Sequence, residues 1–153
     1  MREQQLTTMQ SNDRLVLPRK LVTRILLHVL QHEDTESCGL ISKSGNDPAH
    51  YYAVNNIAPE PSIRFEMDPK QQIAAMKHMR SHGEELLAIV HSHPASPPVP
   101  SATDIRECGY PNAYYIIVSL NSSCAMEMRA YRMIDAAMQP VELRCTSNDK
   151  PVR

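Results

Sequence analysis

Residues 91–104 read H-S-H-P-A-S-P-P-V-P-S-A-T-D, and the two histidines spaced two apart constrain the fold more than any other feature of the chain. At the end of an extended strand, residues i and i+2 point to the same side, so His91 and His93 can offer imidazole nitrogens to one point. The preceding Leu86-Leu87-Ala88-Ile89-Val90 is short, apolar and bounded by turn signals, as a buried strand requires. A proline-rich turn then returns the chain, and Ser101 to Asp104 reads as a helix start that can aim the Asp104 carboxylate at the same point. Two nitrogens and one oxygen make three ligands for zinc and leave the fourth tetrahedral position for water, the arrangement of a catalytic rather than a structural site. With 7 His, 13 Ser and 7 Asp in 153 residues, the four-residue pattern arises by accident in roughly one such chain per thousand. The bland readings are a pair of ordinary strand-end histidines and an S-x-x-D helix cap. The cap is compatible with the site, because a capping serine still presents a hydroxyl to whatever the helix start faces.

The rest of the chain supplies an α/β frame for this stretch. After an extended Leu15-Val16-Leu17, Pro18 suits the first turn of a helix. Leu21, Val22, Ile25, Leu26, Val29 and Leu30 repeat at helical spacing to about His32 and form one apolar stripe. Gly39 to Ile41 and Tyr51 to Val54 read as strands joined by a turn around Ser44 to Pro48. Asp68-Pro69-Lys70-Gln71 is a helix start in which Asp68 caps, Pro69 takes the first helical position and Gln71 completes a capping box. That helix runs to about Ser81 and ends near Gly83. Tyr114 to Leu120 is a second buried strand. Met126, Met128 and Ala130 alternate with Glu127, Arg129 and Tyr131, as in a strand with one wet face. A weaker last strand lies near Val141 to Leu143. Interleaved helices and strands predict a mixed central β-sheet flanked by helices, in a single domain over 14–145 with polar, flexible tails at 1–13 and 146–153.

A water beside a metal needs a base. Glu36, in Glu36-Ser37-Cys38-Gly39-Leu40, leads into a predicted strand and can reach a neighbouring strand end, although by itself it also reads as a solvated loop carboxylate. Cysteines 38, 108, 124 and 145 form no C-x-x-C pair and read as buried thiols. His28, His32, His50, His78 and His82 read as surface residues without a role.

Charge and hydropathy exclude several function classes. Sixteen Lys+Arg against 17 Asp+Glu give no strong electrostatic bias, which argues against a nucleic-acid binder relying on a basic face. The longest apolar runs fall far short of the ~20 residues of a membrane span. Met1 to Asp13 is polar and lacks the charged, apolar and cleavage segments of a secretory signal, so the expected location is the cytoplasm.

E-S-C-G-L, then H-S-H-P, with seven residues between the second His and Ser101 and two between Ser101 and Asp104, resembles the JAMM (MPN-plus) zinc metalloprotease family. The likeness spans about Pro18 to Met133 and fills every motif position. It implies the JAMM/MPN (cytidine-deaminase-like) architecture, with one zinc ion per chain ligated by His91, His93 and Asp104. It further implies that Glu36 is the general base and that Ser101 stabilises the tetrahedral intermediate. The resemblance implies hydrolysis of an amide or isopeptide bond after the C-terminal Gly-Gly of a ubiquitin-like protein. The small size of the chain is similar to that of the compact bacterial branch, whose analogous substrates are sulfur-carrier proteins.

Four other readings compete with this one, among them a domain similar to bacterial proteins once linked to DNA repair, against which the balanced charge weighs. A non-catalytic MPN scaffold would have lost a ligand or the base, and here Glu36, His91, His93, Ser101 and Asp104 are all present. A zinc amidohydrolase acting on another substrate could use the same groups. A nucleobase deaminase needs H-x-E with P-C-x-x-C; His82-Gly83-Glu84 matches the first part, and the second does not occur.

Overall fold

The computed structural model describes residues 13–121 and 126–147. Among these described residues, seven strands form one mixed sheet in the order β1, β7, β6, β5, β4, β2, β3. The strands are β1 (Arg14–Pro18), β2 (Cys38–Ser44), β3 (Asp47–Val54), β4 (Glu85–His93), β5 (Tyr114–Ser119), β6 (Glu127–Ile134) and β7 (Ala137–Thr146), with helices α1 (Arg19–Leu30), α2 (Pro69–Ser81) and the short α3 (Ala102–Arg106). β4 with β5 and β1 with β7 are parallel, and the remaining neighbours are antiparallel. The predicted α/β class with a mixed sheet flanked by helices is what the chain adopts.

Each face of the sheet has its own core. Leu21, Ile25 and Val29 of α1 pack with Ile41, Val90, Ile116 and Val118 on one face. Ala75 and Met79 of α2 pack with Leu40, Ile89, Tyr115, Ile117 and Tyr131 on the other. The α1 stripe is narrower than its periodicity predicts, because Leu30 in the last turn stays 44 % exposed. Pro18 closes β1 opposite Thr146 and stands as the N-cap of α1 rather than inside its first turn.

Local signals at the two main turns work as expected. The β2–β3 hairpin turns at Gly45 with φ +60°, and α2 ends before Gly83 with φ +66°, conformations that cost glycine little. At the start of α2, Asp68 Oδ1 accepts the Lys70 N–H at 2.9 Å. The predicted capping box with Gln71 does not form, because the Asp68 N–H donates to Asn55 O at 3.0 Å and Gln71 Oε1 accepts the Asn55 N–H at 2.7 Å. The helix start is thereby tied to the end of β3.

Two strand expectations are corrected. Tyr131 is not on a wet face: it is 5 % exposed, and its hydroxyl donates to Pro98 O. The last strand is ten residues rather than three, since β7 pairs with both β6 and β1. The expected tails lie outside the described residues except at their inner ends. There Asp13 accepts from Tyr114 Oη and Arg132 Nη1, each at 2.6 Å. Among the described residues no helix is long and apolar enough to cross a membrane.

Candidate metal centre and active site

β4 carries both histidines because its alternation continues past the apolar run. Ile89, His91 and His93 fall on one face, and His91 lies opposite Cys38 of β2 and Ile117 of β5. Both rings are therefore deep in the sheet, at 1 % and 3 % exposure. The prolines of 94–100 carry the chain over the sheet end to Ser101, the N-cap of α3. Ser101 Oγ accepts the Asp104 N–H at 3.0 Å, and Asp104 Oδ2 accepts the Ser101 N–H at 2.8 Å, a reciprocal capping box. The bland reading of S-x-x-D is thus correct, and it is also what points the carboxylate inward.

Asp104 Oδ2 lies 3.2 Å from His91 Nε2 and 3.4 Å from His93 Nε2, and the two Nε2 atoms are 3.1 Å apart. Ligand atoms around a tetrahedral ion with bonds of about 2.0–2.1 Å sit about 3.3 Å from one another, so the three atoms already have the spacing of one face of such a site. His91, His93 and Asp104 are the one His/Cys/Asp/Glu group among the described residues whose ligand atoms all lie within 4.8 Å of one another.

The His93 tautomer fits a cation as well. His93 Nδ1 is 2.8 Å from Pro97 O, which can only accept, so Nδ1 carries the hydrogen and Nε2 presents its lone pair in the neutral ring. His91 Nδ1 is buried without a partner, and the ring is instead held by stacking on Phe65, 4.5 Å between centroids. Burial drives the His91 pKa down, outweighing Asp104. At His93 burial acts the same way, but Asp104, the Pro97 carbonyl and Glu36 prevail and raise it. Burial would lift Asp104, yet the two imidazoles and the Ser101 N–H hold it far below the usual carboxylate range. An anion beside two inward-facing nitrogens is the donor set that a divalent N/O-binding ion requires.

Glu36 enters from a different part of the chain. It is 5 % exposed, its Oε1 lies 3.9 Å from His93 Nε2, and its Oε2 is buried without a partner. Burial pushes the carboxyl up to about 7, with His93 opposing and Asp104 adding to the shift. Its backbone is fixed at both ends: the N–H donates to Pro61 O at 2.7 Å, and the carbonyl accepts from Asn56 Nδ2 at 2.9 Å. Neighbouring Cys38 is held by burial, with Glu36 adding, at a pKa of about 12, which leaves no thiolate to act as a nucleophile.

A cleft of about 340 Å³ opens beside these groups, with Phe65, Met67, Ile89, His91, Asp104 and Tyr110 among its walls and the Arg64–Glu107 ion pair at its border. All five residues singled out in the sequence therefore gather at one end of the sheet. Four supporting residues were not. Phe65 backs His91. Asn56 also donates to Arg64 O and accepts from the Ala58 and Glu66 N–H groups, and Ser37 and Ser92 join the two strands that carry the site. Asn56 had a local signal as an Asx-turn former after a strand, and Ser37 and Ser92 lie inside the two quoted motifs.

The other histidines and thiols lie elsewhere. His32, His50, His78 and His82 are exposed. His28 is half-buried against Tyr51 rather than on the surface, with Nδ1 2.7 Å from the Tyr51 hydroxyl. The expectation of buried thiols holds for Cys38; Cys108 is half-buried, Cys145 is exposed, and Cys124 lies outside the described residues.

The family model described as prokaryotic homologs of the JAB domain matches residues 18–134. The chain is similar to the CysO-cysteine peptidase of Mycobacterium tuberculosis, 29 % identical over 133 residues, covering 84 % of this chain and 90 % of that protein. It is 35 % identical over 88 residues to the desampylase of Haloferax volcanii, covering 55 % of this chain and 62 % of that one. Among solved structures, protein DSY2949 from Desulfitobacterium hafniense superposes with a TM-score of 0.77 at 31 % identity, covering 87 % of this chain and 93 % of that chain.

Proposed function

Because the chain belongs to the prokaryotic homologs of the JAB domain, we propose that it is a zinc-dependent peptidase acting on ubiquitin-like or sulfur-carrier proteins. The bond cleaved is the amide or isopeptide bond after a C-terminal Gly-Gly. The observation that carries this reading is the convergence of His91, His93 and Asp104 within 4.8 Å, next to a buried Glu36 carboxyl with an unpartnered oxygen. The names of two relatives support the substrate class, one being a CysO-cysteine peptidase and the other a desampylase.

His91 and His93 through Nε2, and Asp104 through Oδ2, would hold one zinc ion. Bound there, zinc supplies Lewis acidity, making a water acidic near neutral pH and polarising the substrate carbonyl. Glu36 is the proton carrier: as a carboxylate it takes the proton of the attacking water and returns it to the leaving amine. Its burial, with one oxygen unpartnered, suits this role. Ser101 keeps its hydroxyl hydrogen free, because Oγ acts as an acceptor in the cap; that hydrogen donates to the developing oxyanion. No covalent intermediate is needed. The cleft of about 340 Å³ beside His91 is where an extended C-terminal tail would lie.

The test is intact-mass analysis of small ubiquitin-like proteins that carry a residue or peptide beyond Gly-Gly, incubated with the zinc-loaded protein and with Glu36→Gln. Loss of the extension with the unaltered protein alone is the expected result. Intact substrates after incubation with a chain that binds one zinc tightly would sink the substrate assignment.

A further inference from the structure

The loop between β4 and α3 contains Pro94, Pro97, Pro98 and Pro100, so it has few N–H groups with which to build a structure of its own. Among the described residues its one internal backbone bond is Val99 N–H to Pro97 O at 2.8 Å. Its shape is instead set from outside, through three successive carbonyls taken by three strands. Ser119 Oγ, at the end of β5, donates to Ser96 O at 2.6 Å. His93 Nδ1, at the end of β4, donates to Pro97 O at 2.8 Å. Tyr131 Oη, on β6, donates to Pro98 O.

Both hydroxyl donors are buried, Ser119 at 0 % and Tyr131 at 5 % exposure. Ser119 Oγ is also tied down by accepting the Asn121 N–H at 3.1 Å. Tyr131 otherwise sits among Leu40, Ile89, Tyr115 and Ile117, where a phenyl ring would fill the same volume. The hydroxyl therefore serves the loop rather than the core.

We infer that Ser119 and Tyr131 are positioning residues for the metal centre, a clamp on the carbonyls at either side of Pro97. By holding those carbonyls they fix the acceptor that orients the His93 ring and its tautomer, and they set the path along which the same loop delivers Ser101 and Asp104. The inference rests on the reading of His91, His93 and Asp104 as zinc ligands. Hydrogen-bond partners one step beyond the ligands commonly change metal affinity by roughly 10–100-fold.

The experiment compares Tyr131→Phe, Ser119→Ala, the double variant and Asp104→Asn with the unaltered chain. Zinc affinity is read by competition with a chromophoric chelator, ligand geometry from the visible spectrum of the cobalt(II)-loaded protein, and folding from the metal-free Tm. Ile25→Val, which trims the α1 core far from the loop, is the control for simple destabilisation. Roughly tenfold weaker zinc binding in each clamp variant, with altered cobalt bands and with native affinity in Ile25→Val, is the expected result. Affinity and spectrum within twofold of the unaltered chain in both clamp variants, while Asp104→Asn loses zinc, would overturn the clamp and leave the metal centre standing. Equal weakening in Ile25→Val would overturn it as well, by showing that affinity follows global stability. An unaltered chain that binds no zinc overturns the clamp together with the metal centre.

Discussion

Ser37 and Ser92 hold each other twice: Ser92 Oγ accepts the Ser37 N–H at 2.7 Å, and the Ser92 N–H donates to Ser37 O at 2.9 Å. The residue between the two histidines is thereby fixed to the residue after Glu36. Ser92→Ala removes one of these bonds and leaves a buried N–H without its acceptor, a cost of about 1–3 kcal/mol. Because the histidines stay on their strand while the Glu36 loop loosens, kcat should fall roughly tenfold or more with KM and zinc content nearly unchanged. Steady-state kinetics and metal analysis of the variant check this; a change in KM alone would contradict it.

Glu36→Gln keeps the volume and burial of the side chain and removes only its ability to carry a proton. Hydrolysis should drop by about 100- to 10,000-fold, while one zinc per chain is retained. Full activity in this variant would show that the base is another group.

Glu36 also makes the metal-free protein sensitive to pH in a definite direction. Its carboxyl is raised by burial from 4.5 to about 7 in the folded chain, so the native state binds the proton more tightly than the unfolded state. The stabilisation is fully present below about pH 4.5 and is lost as pH rises toward about 7, a change of roughly 3 kcal/mol at about 1.4 kcal/mol per pH unit. Metal-free Glu36→Gln should therefore match the unaltered chain near pH 4 and exceed its stability near pH 8. The difference between the two proteins in urea unfolding reads this carboxyl together with its coupling to His93, whose raised pKa depends in part on Glu36. An unaltered chain as stable as the variant at pH 8 would rule it out.

Gly39 sits under the Tyr51 ring. A Cβ there would meet ring atoms at 2.5–2.6 Å, and Tyr51 is 5 % exposed. Gly39→Ala should cost about 1–3 kcal/mol as overpacking. It should also disturb β2 next to Cys38, the partner of His91 across the sheet. A lowered Tm with weakened zinc binding is expected, and an unchanged Tm would show that the ring moves aside freely.

Several parts of the site were legible before the fold because their physics is local. Two histidines two apart at the end of an apolar run must share a side of a strand. Ser101 and Asp104 form their cap within a single turn. Pro69 and Asp68 begin α2 by the same short-range rules. The family motif added Glu36, whose local sequence alone says little.

Other features depended on which strands become neighbours. Tyr131 reads as a surface residue by alternation, yet it packs into the core beside Leu40, Ile89 and Ile117, and the Pro98 carbonyl of a loop 33 residues away accepts from its hydroxyl. Gln71 has the right spacing for a capping box, yet the end of β3 takes both groups that would form it. Leu30 continues the apolar stripe, yet it is exposed beside the buried Val29, because only the Leu21, Ile25 and Val29 side of α1 meets the sheet. Helix and strand periods, the Ser101–Asp104 cap and the spacing of the ligands are legible along the chain, because each depends on neighbours within a few residues. The approach of a loop carboxyl to within 3.9 Å of His93, the backing of His91 by Phe65 and the hold of Ser119 and Tyr131 on the proline loop arise only in the folded chain. Those contacts join groups far apart in the chain, and long-range strand pairing and burial set them rather than any local pattern.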